Sequence, residues 1–436
     1  MNTPILDFIT EYETKQSLRL HMPGHKGQGA PADITEIAGA DSLYEAAGII
    51  AESEQNASRL FSHPTFYSTE GSSQCIRAML YLAHLDAQKN GKKLKILAGR
   101  NAHKTFLSGV AMLDAEVEWL YGEGGSYLCC NITPVSLLNA LKTHQPTAVY
   151  LTTPDYLGNT VEIAPLADLC HQYGARLLVD NAHGAYLKFT ENGFPMDAGA
   201  DLCCDSAHKT LPVLTGGAYL HTTPDFAPMA KQALSLFGST SPSYLILKSL
   251  DEANRYLSDG YGEKLSAFIQ KTEKFKAHLS EQGYTLIGNE ALKITIRTKS
   301  YGYRGEDFAA LLRNANIEPE FADPDFVVLM LTPELSETAL NVLKQTLIGI
   351  PKKEALQDVP PVISPAKRVC SVRAALLSPW ETLPISQSEG RVLAMASVGC
   401  PPAVPIAVSG ERIEQSAIDA FKYYGISEIS VIKRDA

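Results

Sequence analysis

The segment Ala200-Asp-Leu-Cys-Cys-Asp-Ser-Ala-His-Lys-Thr ends at Thr210 and gathers Ser206, His208 and Lys209 into one short stretch. An apolar run ending at Asp180 comes about twenty residues earlier and continues as Asn181-Ala-His-Gly. An acid that ends one buried strand and a lysine just past the next can divide one chemistry between them. The lysine amine can join the aldehyde of pyridoxal phosphate as a Schiff base, and the acid can keep the pyridine nitrogen protonated, so that the ring withdraws electrons. Burial disfavours a charged lysine and so frees its amine as a nucleophile. A lysine after a strand is by itself usually a solvated residue. Here Asp180 upstream, with Ser206 and His208 beside it, favours the chemical role for Lys209. His183, three residues past Asp180, has two readings: it packs near the ring or orients the acid, or it is structural.

Other stretches supply groups suited to an anion. Glu70-Gly-Ser-Ser-Gln leads into a predicted helix over 73–90, where Ser72, Ser73 and the backbone N–H groups of a helix start can hold a phosphate. The same tripeptide is equally a plain serine cap, and its place in the sheet region decides for phosphate. His103, in Arg100-Asn-Ala-His-Lys-Thr, follows a predicted strand and is either structural or stacked on a cofactor ring. Ser239-Thr-Ser-Pro-Ser-Tyr is hydroxyl-dense, and either caps the next helix or adds a phosphate contact. The chain has no P-loop, no GxGxxG after a strand, no GxSxG elbow and no HExxH.

The elements that must position these groups alternate. Strand-like runs at 94–98, 117–121, 148–152, 177–180, 202–205 and 217–221 are interleaved with helical patterns at 73–90, 136–143 and 165–173. Such alternation predicts an α/β fold with a mainly parallel sheet covered on both faces, whose ligands bind at the carboxyl ends of strands. The predicted domains are an arm over 1–45, a large cofactor-binding domain over 46–235 and a small α+β domain over 236–350. A proline-rich linker over 351–366 and a C-terminal α+β domain over 367–436 follow. The arm carries Leu18-Arg-Leu-His-Met-Pro-Gly-His-Lys-Gly, a cationic loop in which Pro23 and Gly24 forbid continuous helix.

The chain of 436 residues has a formal net charge of -10 spread along its length, which argues against nucleic acid as a partner. No apolar run is long enough to span a bilayer and the first residues lack a signal-peptide layout, so no membrane partner and a cytoplasmic location are expected. The eight cysteines show no CxxC pair and no zinc-ligand spacing, so reduced thiols and no metal are expected.

Taken together, the motifs resemble those of the ornithine/lysine/arginine decarboxylases, of the aspartate-aminotransferase fold (fold type I of the pyridoxal phosphate enzymes). Those quoted above carry the likeness, with Thr153-Pro-Asp-Tyr-Leu-Gly, Glu389-Gly-Arg and Pro401-Pro-Ala-Val-Pro-Ile. The resemblance implies a large domain with a sheet of the seven-stranded type. It implies Lys209 as the Schiff-base lysine, Asp180 at the pyridinium nitrogen and His103 stacked on the ring. Ser72, Ser73, Ser206 and His208 would hold the phosphate, and Ser239 would reach it from a neighbouring subunit, hence a homodimer. The implied reaction is decarboxylation of arginine, lysine or ornithine, with Lys209 or His103 returning a proton. A transaminase or other pyridoxal enzyme of the same fold, and a non-catalytic homologue, are the alternatives. Three places depart from the family. Asp180-Asn181-Ala182-His183 stands for Asp-Glu-Ala-His, Cys400-Pro-Pro-Ala-Val-Pro for Tyr-Pro-Pro-Gly-Ile-Pro, and Thr215-Gly216 for Thr-Gln. The length suits the compact Gram-positive-type branch, without the N-terminal wing of the long members.

Overall fold

Short apolar runs build the central sheet of the computed structural model, which describes residues 1–123, 129–191, 193–362, 365–399 and 404–434. Its strands are β1 (Thr65–Ser68), β2 (Lys95–Gly99), β3 (Glu116–Leu120), β4 (Ala148–Thr152), β5 (Arg176–Asp180), β6 (Leu202–Asp205) and β7 (Ala218–Thr222). They lie in the order β1-β7-β6-β5-β4-β2-β3. Strands β2 and β3 pair in parallel, as do β5 and β6, whereas β7 runs antiparallel to both β1 and β6. Leu177, Leu178, Val179, Leu202, Cys203 and Cys204 are fully buried, as strands covered on both faces require.

The predicted strands appear within one residue at either end, but β1 has no counterpart among them. It is four residues long, and its place is fixed by its partner, through pairs such as Thr65↔His221 and Phe66↔Leu220. The helices Ile49–Phe61 and Lys104–Leu113 were likewise not predicted. His103 starts the second with its own side chain, an N-cap pattern outside the usual Ser, Thr, Asp and Asn.

The chain divides into two compact units. The first comprises Met1–Leu94, Thr147–Val149 and Ile163–Leu265. Its helix Pro4–Thr14 points its first amides, Ile5 N and Leu6 N, at Asp251 Oδ2 at 2.9 and 3.1 Å, a carboxylate at the positive end of a helix dipole. Phe61 packs at 5.7 Å from Phe194, 5.0 Å from Tyr219 and 4.6 Å from His221, between ring centroids, an aromatic core at tilted angles.

The second unit comprises Lys95–Pro146, Tyr150–Glu162 and Ser266–Ala436. It holds an antiparallel sheet of β8 (Leu286–Ile287), β9 (Lys293–Arg297), β10 (Phe321–Ala322) and β11 (Phe326–Met330), in the order β10-β11-β9-β8. Further on, the strand Trp380–Pro384 pairs antiparallel with Glu428–Ile432. The altered motif at Cys400 and Ala403 lies outside the described residues. Among the described residues no helix is long and apolar enough to cross a membrane.

Candidate active site

Strand β5 ends at Asp180 because its apolar run stops there, which leaves the carboxyl group 2% exposed at the strand terminus. Asp180 Oδ1 accepts from Ala182 N at 3.2 Å and from Cys204 Sγ, on the neighbouring strand β6, at 3.7 Å. Burial and the Asp180 carboxylate push the Cys204 thiol well up, so it stays a proton donor to that oxygen. Past β6 a single helical turn, Ala207–Thr210, presents Lys209. Its Nζ lies 3.0 Å from His183 Nε2, so the loop after β5 and the loop after β6 meet at the amine. The amine can donate in either charge state, so a neutral His183 with its proton on Nδ1 can accept at Nε2.

The hydroxyls converge next to this amine's own turn. Ser206 Oγ donates to Ser72 Oγ at 2.9 Å, which joins the lysine segment to the start of the helix Gly71–Lys89. Among the described residues that helix has no side-chain cap at its N-cap residue, Glu70. Its first turn, with Ser72 and Ser73, is therefore suited to an anion. Gly71 N donates to Gly216 O at 2.7 Å. Gly216 has φ +102°, and a Cβ there would stand 2.8 Å from Thr69 O. The glycine in Thr215-Gly216 thus allows the lysine loop to close against the helix start.

His208 Nδ1 is 2.9 Å from Gly217 O, a carbonyl that can only accept, so this nitrogen carries the proton. Burial holds the imidazole below its usual range, against the Gly217 bond and with the help of the Lys209 charge. Nε2 can donate to a phosphate only once the imidazolium forms, a charge that a bound dianion would favour. Ser239 is exposed; its backbone N–H donates to the Glu70 carboxylate and its Oγ accepts from Ser241 N at 3.1 Å. All of these residues belong to the first unit. His103 belongs to the second. Its Nδ1 accepts from Thr105 N at 3.3 Å and lies 3.0 Å from Thr105 Oγ1, which leaves the proton of a neutral ring on Nε2.

Sequence reasoning missed a buried polar chain behind Asp180. Asn181 Nδ2 donates to Asp205 Oδ1 at 2.7 Å, Asp205 Oδ2 lies 3.1 Å from His221 Nε2, and His221 Nδ1 lies 2.9 Å from Thr65 Oγ1. Asn181, Asp205 and His221 are all 0% exposed. The one signal in the sequence was the amide at 181, one of the departures from the motifs that the chain resembles. Opposite Asp205, an amide donates and a second carboxylate repels. Asn181→Asp is therefore expected to lower stability by about 3 kcal/mol at neutral pH, the scale of an uncompensated buried charge. The new acid would have a raised folded pKa, so the loss should shrink as pH falls through it. Urea unfolding at two pH values measures both effects. A midpoint equal to wild type at neutral pH would show that the amide is not needed there.

A family model described as "Orn/Lys/Arg decarboxylase, major domain" matches residues 3–338. The chain is 29% identical over 460 residues to an uncharacterized protein, YaaO, of Bacillus subtilis (strain 168), over 96% of this chain and 93% of that protein. It is 27% identical over 458 residues to an arginine decarboxylase of the same organism, over 95% and 92% of the two chains. Among solved structures, the constitutive lysine decarboxylase of E. coli superposes with a TM-score of 0.79 at 15% identity, over 99% of this chain and 82% of that one. Lysine decarboxylase A from Pseudomonas aeruginosa gives 0.79 at 16%, over 99% and 80%. At those identities the structural likeness speaks for the fold.

Proposed function

This chain belongs to the Orn/Lys/Arg decarboxylase family, and from that premise we propose that it decarboxylates a basic amino acid with pyridoxal phosphate held at the Lys209 site. The observation that carries the reading is the meeting of Lys209 Nζ and His183 Nε2 at 3.0 Å, in the unit that also holds Asp180 and the Ser72–Ser206 hydroxyl pair. The residues fit that cofactor, since an amine, a buried carboxyl group and an uncapped helix start with two hydroxyls answer its aldehyde, ring nitrogen and phosphate. When bound, the cofactor supplies an electron sink for the negative charge left by departing carbon dioxide.

The chain's own residues do the rest. Lys209 would hold the aldehyde through Nζ and, when that amine is free, would carry a proton there for return to the product carbon. His183 Nε2 would accept from that nitrogen and fix its direction. Asp180 would keep the proton on the ring nitrogen, while Ser72, Ser73, Ser206 and His208 would bind the phosphate. The family resemblance would give His103 a stacking role toward the ring. Preorganised charge and position supply most of the rate. Arginine is the first substrate to test, since a relative matched over 92% of its own length carries the name arginine decarboxylase. The assay is carbon dioxide release from arginine, lysine and ornithine. Keto acid without carbon dioxide from all three would replace this reading with transamination.

We further propose a homodimer in which Ser239 of a second copy reaches the phosphate. Its exposure and the family resemblance motivate this; within its own chain its backbone N–H is held by Glu70. Cofactor and dimer would then stabilise one another. Ser239→Ala is expected to weaken cofactor affinity about tenfold, the loss of one charge-assisted hydrogen bond. Light scattering with and without cofactor reads the assembly. A fully loaded, fully active monomer would end the proposal.

A further inference from the structure

Three residues before His103, Arg100 makes a bidentate ion pair with Glu411, Nη1 to Oε1 at 2.6 Å and Nη2 to Oε2 at 2.8 Å. Both residues are 2% exposed. The guanidinium carbon also lies 5.2 Å from the centroid of the Trp119 ring and 5.4 Å from that of Tyr121. Glu411 Oε2 accepts in addition from Val408 N at 2.9 Å. All of these residues belong to the second unit.

A buried pair of this kind is a poor source of stability, because desolvation offsets most of the attraction and apolar residues of similar volume do as well. What it supplies is direction: the planar fork of arginine meets a carboxylate in one geometry only. Arg100 itself opens the short turn that leads to His103, so the direction of its side chain bears on that turn through the backbone. Arg100 N donates to Leu120 O at 2.8 Å and Ala102 N to Gly99 O at 3.0 Å, so the turn after β2 is pinned. His103 then caps the helix Lys104–Leu113 through Thr105 N. Other arginines tie the C-terminal segment to the same β2–helix–β3 piece. Arg368 reaches Glu118 at 2.9 Å and Arg373 reaches Ala111 O at 2.8 Å, but neither enters the His103 turn.

We infer that Glu411 is a positioning residue, which sets the His103 turn through Arg100 and so makes turnover depend on the C-terminal segment. The effect on turnover rests on the reading of His103 as the ring-stacking residue. The effect on His103 itself does not.

Three full-length variants test it: Glu411→Gln, Glu411→Asp and the apolar pair Arg100→Met/Glu411→Leu. The pH titration of the His103 ring is followed by NMR without cofactor, its signal assigned by its loss in His103→Gln. Thermal midpoint, kcat, KM and the visible circular dichroism of the cofactor-loaded protein complete the set. The apolar pair is expected to melt within about 4 °C of wild type, yet to shift the His103 titration. It should also lower kcat about tenfold with KM within about twofold, as a misplaced catalytic group does, and weaken the visible dichroism. Glu411→Asp, which keeps the charge, should recover part of each loss relative to Glu411→Gln. A folded apolar pair with the wild-type His103 titration and kcat overturns the inference. An apolar pair that does not fold also overturns it, because the ion pair is then structural. A shifted His103 titration in a protein that releases no carbon dioxide even as wild type leaves the positioning role standing and removes the decarboxylase reading.

Discussion

Lys209→Ala is expected to abolish the borohydride-trapped covalent link between cofactor and chain and to cut turnover about 10⁴-fold, the upper range for one positioned proton-transfer group. The reason is local. The turn Ala207–Thr210 presents this amine between the β5 and β6 loops, 3.0 Å from His183 Nε2. With alanine, His183 loses its amine partner and, on the proposed reading, the aldehyde would lose its anchor, while Ser206 keeps its bond to Ser72. The variant should therefore still bind pyridoxal phosphate non-covalently and remain folded. Borohydride reduction followed by peptide mass spectrometry decides the point. A pyridoxyl group trapped on another lysine of the variant would overturn the assignment of Lys209.

Asp180→Asn should retain cofactor but lose at least about 2.7 kcal/mol of transition-state stabilisation, a hundredfold in kcat. The amide has nearly the shape of the acid. Its oxygen can still accept from Ala182 N and Cys204 Sγ, the two bonds that orient Asp180. What disappears is the negative charge, held at 2% exposure, where charge would act most strongly on the ring nitrogen of the proposed cofactor. The measurement is kcat in a variant shown by absorbance to be fully loaded. Turnover within threefold or so of wild type would remove Asp180 from the electron-sink role, since neutral groups would then suffice.

Much of this was legible along the chain. Strands β4 and β6 have the bounds that their apolar runs predict, because a strand buried on both faces shows its burial in consecutive residues. The loops after β5 and β6 could be read as chemical because acid, imidazole, hydroxyl and amine follow directly on those runs. The pairing of those groups was another matter. Ser206 meets Ser72 across 134 positions, Asn181 meets Asp205 across 24 and Arg100 meets Glu411 across 311. Periodicity carries no information at such separations. It reports which face of an element is buried and says nothing about which element lies alongside. Strand β1 shows the same limit: four residues are too few for a pattern, and β7 gives them their place. Sequence alone determined the elements, the reactive side chains at their ends and the family they resemble. The tertiary structure decided which of those side chains share a hydrogen bond, because partner choice is made by strand order and loop closure, and both are set by the packing of the whole chain.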